Sequence, residues 1–265
     1  MKKFILTIAA TLMAATCLAW GRLGHCTIQE IAWRNLTPTA KENIQKFVGD
    51  TIPAAYSTWL DEVVNTPPYK TEFAGFHASI ATTDCRSPLY IRKQYRSCRD
   101  GVSAIEFFKS YLKEWRELPD SCVQMALKCI IHSAGDYHCP AHVRFTDQKN
   151  EGKFPVVFLG KTTTLHAVWD TGLIEHMSGL RWTSYKEYAA RLDTWNRRQI
   201  KAAQKGWARE WFEDAARDVR PIVGEVNSGD TLTEEWCEKN YPLAELEIRK
   251  AGYQLAAALN EIFGK

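Results

Sequence analysis

The sequence predicts a mainly α-helical single domain, a multi-helix bundle with one small β-hairpin. Three observations carry that expectation. Apolar residues recur mostly at three- and four-residue spacing, only one segment reads as a strand, and no repeat, low-complexity tract or charge block marks a boundary in the 265 residues. An apolar content of 45% is ample for a sizeable core at that length.

Taken in order, Lys2 and Lys3, the apolar run Phe4 to Ala15 and the small-ended Cys17-Leu18-Ala19 read as a secretory signal over residues 1–19, cleaved before Trp20. That run is too short to span a bilayer, and no later window is apolar for about 18 residues, so no membrane partner is expected. A periplasmic or secreted protein beginning Trp-Gly-Arg follows. Lipidation at Cys17 is the rival processing, but it meets Thr16 where a small Ala or Gly is usual. The first helix is expected over 24–35. Thr37 as cap and Pro38 in the first turn open a second, which Gly49 stops. Further helices are expected at 53–64 and 101–116. Another starts near the capping candidate Asp120, where Val123, Leu127, Ile130, Ile131 and Ala134 form one stripe, and Pro140 ends it. Helices at 166–177, 184–204, 207–220 and 243–262 complete the set. The strand is Phe154 to Leu159, turning at Gly160-Lys161 into Thr162 to Thr164. Residues 65–76 and 143–165 are otherwise irregular connections. Trp59, Trp115 and Trp211 read as core packing.

Formal net charge is +3 and falls to +1 once Lys2 and Lys3 leave with the signal. A protein that tracked many phosphates along a nucleic acid would need a cluster of Lys and Arg, which is absent here. An anionic substrate must be held by something more local. Of eight cysteines one departs with the signal, leaving seven, an odd number in a compartment that permits disulfides. Cys85 and Cys98 are expected to bridge to each other or to Cys237, with at least one thiol left over.

The segment IHSAGDYHCPAH, Ile131 to His142, holds three of the seven histidines and an aspartate. On a helix, His132 and Asp136 lie on one face and can bind one ion together. His142 follows Pro140, where the chain leaves the helix and can turn its imidazole back. His138 points elsewhere. The same spacing recurs in His166-Ala-Val-Trp-Asp170. Nitrogen and carboxylate ligands of this kind suit zinc in an oxidising compartment, where thiolate ligation competes with disulfide formation. The bland alternative, histidines paired with carboxylates merely to join helices, needs several costly buried ion pairs. His176 reads as a helix-surface residue without a partner.

These motifs, with the start Trp20-Gly-x2-Gly24-His25 and the late Ala251-Gly252-x2-Leu255-Ala256, resemble the zinc-dependent single-strand-specific nucleases of fungi and plants, the S1/P1 nuclease family. The bacterial zinc phospholipases C form a related branch. The resemblance runs from Trp20 almost to the C-terminus and implies one trinuclear zinc nuclease domain, 20–265, with a phospholipase C/nuclease-like fold. It implies three Zn2+ per chain. The first would be held by Asp61, His77, His132 and Asp136, and the second by His142, His166 and Asp170. The third would take the backbone amine and carbonyl of Trp20, His25 and the other oxygen of Asp136. Only cleavage before Trp20 frees that amine, whose pKa of about 8 permits chelation. Asp61 is the implied catalytic residue, orienting a zinc-activated hydroxide. The implied reaction is hydrolysis of the P–O3′ bond of single-stranded RNA or DNA and of 3′-nucleotides, so the expected partner is a single-stranded nucleic acid or nucleotide, met by a monomer.

The chain departs from that family in places. After His77, where fungal members carry an aromatic and then an aspartate, stand Ala78 and Ile80, and Val64 replaces a basic residue that often follows the Trp-x-Asp motif. Tyr137 and Phe145 are either substitute stacking rings or core aromatics. Two rival functions therefore stay open: a phosphomonoesterase or phospholipase C-like hydrolase using the same zinc cluster, and a non-catalytic zinc-binding protein.

Overall fold

The computed structural model describes residues 20–88, 98–148 and 152–265, and the expected signal at 1–19 lies outside them. Helix α1 (Arg22–Arg34) is followed by α2 (Pro38–Val48), which begins with the Ala40 N–H donating to the Thr37 hydroxyl at 3.2 Å and ends at Gly49, φ 81°. After α3 (Ala55–Val63), the stretch expected to be irregular contains a single turn, α4 (Tyr69–Glu72), and a 3-10 turn, Ala74–His77. Both are too short for periodicity to reveal. Helix α5 (Gly101–Tyr111) runs into a 3-10 segment, Leu112–Glu117. Helix α6 (Asp120–Asp136) has Pro119 rather than Asp120 at its cap position. It stops at Asp136 because Pro140 has no N–H for the Asp136 carbonyl, which accepts from Cys139 at 2.9 Å instead.

Two small sheets follow. In the first, β1 (Ser79–Ala81) lies parallel to β2 (Val143–Phe145), in register Ser79 to Val143. In the second, β3 (Pro155–Phe158) and β4 (Lys161–Thr164) form the expected hairpin. Its two-residue loop, Leu159-Gly160, has positive φ at both positions, as a type I′ turn needs. A two-residue strand, β5 (Thr231–Leu232), joins β3 in parallel and was not foreseeable from so short a run.

The helix expected over 166–177 is divided into α7 (Leu165–Ala167), a π-helical turn Val168–Gly172 and α8 (Leu173–Ser178). That expected over 184–204 is two helices, α9 (Tyr185–Leu192) and α10 (Arg197–Ala203). The Asn196 side chain restarts the chain by accepting the Arg198 and Gln199 N–H groups, both at 3.0 Å. After α11 (Ala208–Val219), the last helix, α12 (Glu234–Phe263), starts at the Thr233 cap and runs straight through Pro242, nine residues ahead of its expected start.

Helix α12 buries a stripe from Cys237 through Ala244, Ile248, Ala251 and Leu255 to Ile262. It packs against α1 at Gly252, where a Cβ would lie 2.5 Å from Ile31 Cγ2. Gly135 plays the same part between α6 and α1, since a Cβ there would fall 2.7 Å from His25 Nδ1. Two missing side chains thus bring α1 against both central helices and deliver His25 to the end of α6. Trp115 and Trp211 are buried as expected, and Trp59 is half-buried against Tyr69 and Phe73.

Candidate metal centre

Four elements converge where α6 ends. Helix α1 supplies His25, α3 supplies Asp61, the turn after α4 supplies His77, and α6 supplies His132 and Asp136. The β1–β2 pairing sets the segments of His77 and His142 side by side: the Ser79 N–H donates to the His142 carbonyl at 3.1 Å, and His142 Nδ1 donates to the His77 carbonyl. His166 lies in α7 and Asp170 in the π-helical turn, a distortion frequent at functional sites. The Asp170 carbonyl accepts the Gly21 N–H at 2.5 Å, which ties the start of α1, with the wholly buried Trp20, to this turn.

Asp136 is the hub. Its Oδ1 lies 3.1 Å from His25 Nε2, while its Oδ2 lies 3.1 Å from His132 Nε2, 3.3 Å from His77 Nδ1 and 3.8 Å from His142 Nδ1. Asp61 Oδ1 is 3.5 Å from His77 Nδ1 and 3.6 Å from His132 Nε2. Farther along, His142 Nε2 is 3.7 Å from Asp170 Oδ1, and His166 Nε2 is 3.3 Å from Asp170 Oδ2. All eight candidate side chains named in the sequence therefore lie in one connected cluster. Three subsets have donor atoms close enough to share an ion: His25, His132 and Asp136; Asp61, His77 and His132; and Cys139, His142 and Asp170.

Several rings are held from behind. His132 Nδ1 is 2.7 Å from the Ser57 carbonyl, so that nitrogen donates its proton there and Nε2 is turned toward the cluster, 3.0 Å from His77 Nδ1. His142 is fixed in the same sense by the His77 carbonyl. The front of the cluster is different. Both ring nitrogens of His25, both oxygens of Asp136 and His142 Nε2 are buried yet make no hydrogen bond, because these near neighbours are misdirected for one. Buried polar atoms left so are rare and costly. An ion among them would satisfy several at once.

The electrostatics agree. Burial, helped by the neighbouring His132, lowers His25 to about 4, and burial lowers His142 to about 3 and shifts His77 down as well. These imidazoles are neutral donors near pH 7. For His132, burial is outweighed by the charges of Asp136 and Asp61, which raise it to about 9. Asp136 is held well below the carboxylate range: burial opposes this, and His132 prevails. Burial pushes Asp170 well above that range, against the Cys139 thiol bond and with the charges of Asp136 and Asp61. A cation beside it would relieve that strain.

His138 shows what a purely structural histidine looks like in this fold. Its Nδ1 lies 2.6 Å from Glu247 Oε2 and its Nε2 2.7 Å from Gln254 Oε1, both on α12. Each ring nitrogen has a partner more than a hundred residues away, so sequence inspection had no means to find either. His176, expected to be alone, pairs with Glu234 at 2.8 Å. Cys139 was missed altogether: its buried thiol donates to Asp170 at 3.4 Å, and a partner that far along the chain leaves no sequence signal. Tyr137 and Phe145 are 1% and 3% exposed and are core aromatics, not stacking surfaces. The disulfide expected among Cys85, Cys98 and Cys237 is not formed. No disulfide joins any of the seven described cysteines, and Cys85 and Cys98 instead give their thiol protons to the Ala216 and Ser103 carbonyls. A cavity of about 310 Å³ opens beside His166, walled by Phe154, Leu165 and Trp169, with Gln148 and Asn227 at its margin. Much of its lining comes from 219–228, remote in sequence, which hid it.

The S1/P1 nuclease family model matches residues 20–264. Nuclease S1 of Aspergillus oryzae is 29% identical, the alignment covering 96% of each chain. Nuclease P1 of Penicillium citrinum is 27% identical over 92% of this chain and 98% of its own, and Endonuclease 2 of Arabidopsis thaliana 24% identical over 98% and 96%.

Proposed function

The chain belongs to the S1/P1 nuclease family, and from that premise we propose that it is a zinc-dependent nuclease, active as a monomer, that hydrolyses the P–O3′ bond of single-stranded RNA or DNA and of 3′-nucleotides. The observation that carries this reading is the buried Asp136 carboxylate, whose two oxygens face different imidazoles. Asp61, His77, His132 and Asp136 would hold one ion. His142, His166 and Asp170 would hold the second. His25, Asp136 and the backbone amine and carbonyl of Trp20 would hold the third. Bound there, the ions would lower the pKa of water toward about 7 and offset the negative charge on the phosphoryl and leaving oxygens. Asp61, buried at the end of α3, orients the attacking water and holds its proton at a carboxylate oxygen. The carbonyls of Ser57 and His77 keep the His132 and His142 rings from turning as charge develops.

The role of Trp20 requires cleavage before it, and so export to the periplasm or beyond. Support comes from the burial of Trp20, the bond from Gly21 to Asp170, and the family match beginning at residue 20. Among the described residues no helix is long and apolar enough to cross a membrane.

A recessed centre favours single strands, because a phosphate reaches it only on a backbone that can bend and splay its bases. With Ala78 and Ile80 in place of a base-binding ring and carboxylate, the cavity beside His166 receives the attached nucleoside. Its size is at the lower end of small-molecule sites, about 300–1,000 Å³. The same two apolar residues also suit a phosphomonoesterase or phospholipase C-like enzyme. Purified protein offered a single-stranded oligonucleotide, a 3′-mononucleotide and a choline phospholipid distinguishes these. Cleavage of the first two supports the proposal, while hydrolysis of phospholipid alone, or of none with metal bound, overturns it.

A further inference from the structure

Resting on the metal reading above, we propose that Cys139 is a fourth protein ligand of the second ion, completing a donor set of His142, His166, Asp170 and a thiolate. Cys139 is wholly buried, and its Sγ is 3.4 Å from Asp170 Oδ1. His142 Nε2, buried and without a hydrogen bond, is aimed at the same oxygen from 3.7 Å, and His166 Nε2 lies 3.3 Å from the other oxygen. Zinc–sulfur bonds of about 2.3 Å and zinc–nitrogen or –oxygen bonds of about 2.0–2.1 Å at tetrahedral angles put neighbouring donors about 3.3–3.6 Å apart. The separations from the Asp170 oxygens lie close to that range, and the Cys139, His142 and Asp170 donors all lie within 4.8 Å of one another.

The thiol does not reach this place by chance of rotamer alone. The Cys139 N–H is bonded to the Asp136 carbonyl at 2.9 Å, and the Cys139 carbonyl accepts the His142 N–H at 2.8 Å. Its Cα is therefore pinned in the tight turn that links the two halves of the cluster. On binding, the S–H bond breaks, its electron pair passes to the metal as a ligand bond and the proton leaves to solvent, with no change of oxidation state. A thiolate, the one soft donor in the cluster, makes this ion the most selective of the three for zinc over harder cations.

Cobalt(II) loading of the wild-type chain tests this. The expected result is a near-ultraviolet sulfur-to-cobalt charge-transfer band, retained in Cys122→Ser and lost in Cys139→Ser, with one cobalt bound at least about 100-fold more weakly in the latter, beyond the about 10–100-fold that loss of an outer partner costs. Cobalt bound without the band, or a band that survives Cys139→Ser, overturns the proposal and leaves the metal centre standing, with Cys139 only a hydrogen-bond donor to Asp170. Failure to bind any cobalt or zinc overturns the metal reading itself. Should Cys139→Ser not fold, zinc X-ray absorption on the wild type decides: a sulfur at about 2.3 Å supports the proposal, and a shell of nitrogen and oxygen alone overturns it.

Discussion

Asparagine in place of Asp136 keeps the side chain's shape and removes its charge. The two oxygens serve different sides, His25 at 3.1 Å on one and His132 and His77 at 3.1 and 3.3 Å on the other. An amide offers one ligating oxygen; its NH2 group cannot ligate, so one side loses its donor and both lose the anion. Removing an outer-sphere partner already costs about 10–100-fold in metal affinity. A shared direct ligand should cost at least the upper figure for each of the two ions it serves. Elemental analysis of Asp136→Asn after gel filtration should then show metal content falling from about three ions per chain to about one. Turnover of a fluorescent single-stranded oligonucleotide should drop at least about 1,000-fold, equivalent to about 4 kcal/mol at about 1.4 kcal/mol per decade. Circular dichroism checks that the helices persist. Full metal content with wild-type turnover would remove Asp136 from the shared role and the trinuclear reading with it.

A chain that retains Ala19 ahead of Trp20 should bind one ion fewer than the same chain starting at Trp20 and lose most activity; equal metal content in the two would show that the α-amine is not a ligand. The metal-free protein should lose stability below neutrality. His25 and His142 are neutral when folded, at about 4 and about 3, against about 6.5 unfolded, so the unfolded state binds more protons as pH falls. Their contribution is complete above about pH 6.5 and shrinks toward pH 4 by about 1.4 kcal/mol per pH unit for each. His132, raised to about 9, acts oppositely and only above pH 6.5, while Asp170, pushed up by burial, offsets part of the loss as pH falls. Thermal melts of chelated protein between pH 7 and 5 check this, and a flat melting temperature refutes it. Gly135→Ala sets a methyl 2.7 Å from His25 Nδ1, so it should displace that ring, cost about 1–3 kcal/mol and release one ion, as read by melting and metal analysis.

The parts of the fold legible in sequence were those written in local chemistry. Thr37, Pro38 and Gly49 fix α2, and the apolar stripe from Val123 to Ala134 fixes α6. Local rules failed where distant packing overrode them. The last helix was expected only from residue 243, yet the buried stripe on both sides of Pro242 keeps α12 continuous from Glu234. Residues 184–204 read as one helix, yet Asp193 accepts from Asn35 at 3.0 Å and from Tyr253 at 2.9 Å, and the chain breaks there to reach them. In the site, the four-residue pairs His132/Asp136 and His166/Asp170 were visible because each ligand's partner lies one turn away. Asp61 and His77 could be located only by resemblance, and Cys139, Glu247 and the cavity wall from 219–228 not at all. Nothing in the chain order records that these segments meet.

The crowding of histidines between Ile131 and His142 has a mechanical explanation. Asp136 belongs to the first half of the cluster and His142 to the second, and only the turn closed by Cys139 and Pro140 separates them. The spacing between the two halves is therefore set by backbone hydrogen bonds within seven residues rather than by the docking of remote elements. Such a turn would still pivot about its ends if nothing held its middle. His138 supplies that hold, its ring gripped by Glu247 and Gln254 on the long helix α12. Burial pushes Glu247 up, but the bond to His138 prevails and keeps its carboxyl below the usual range, so the grip is charge-assisted. The same short segment thus contributes donors to both halves and an anchor between them, and its odd histidine is the one bound through both nitrogens to α12.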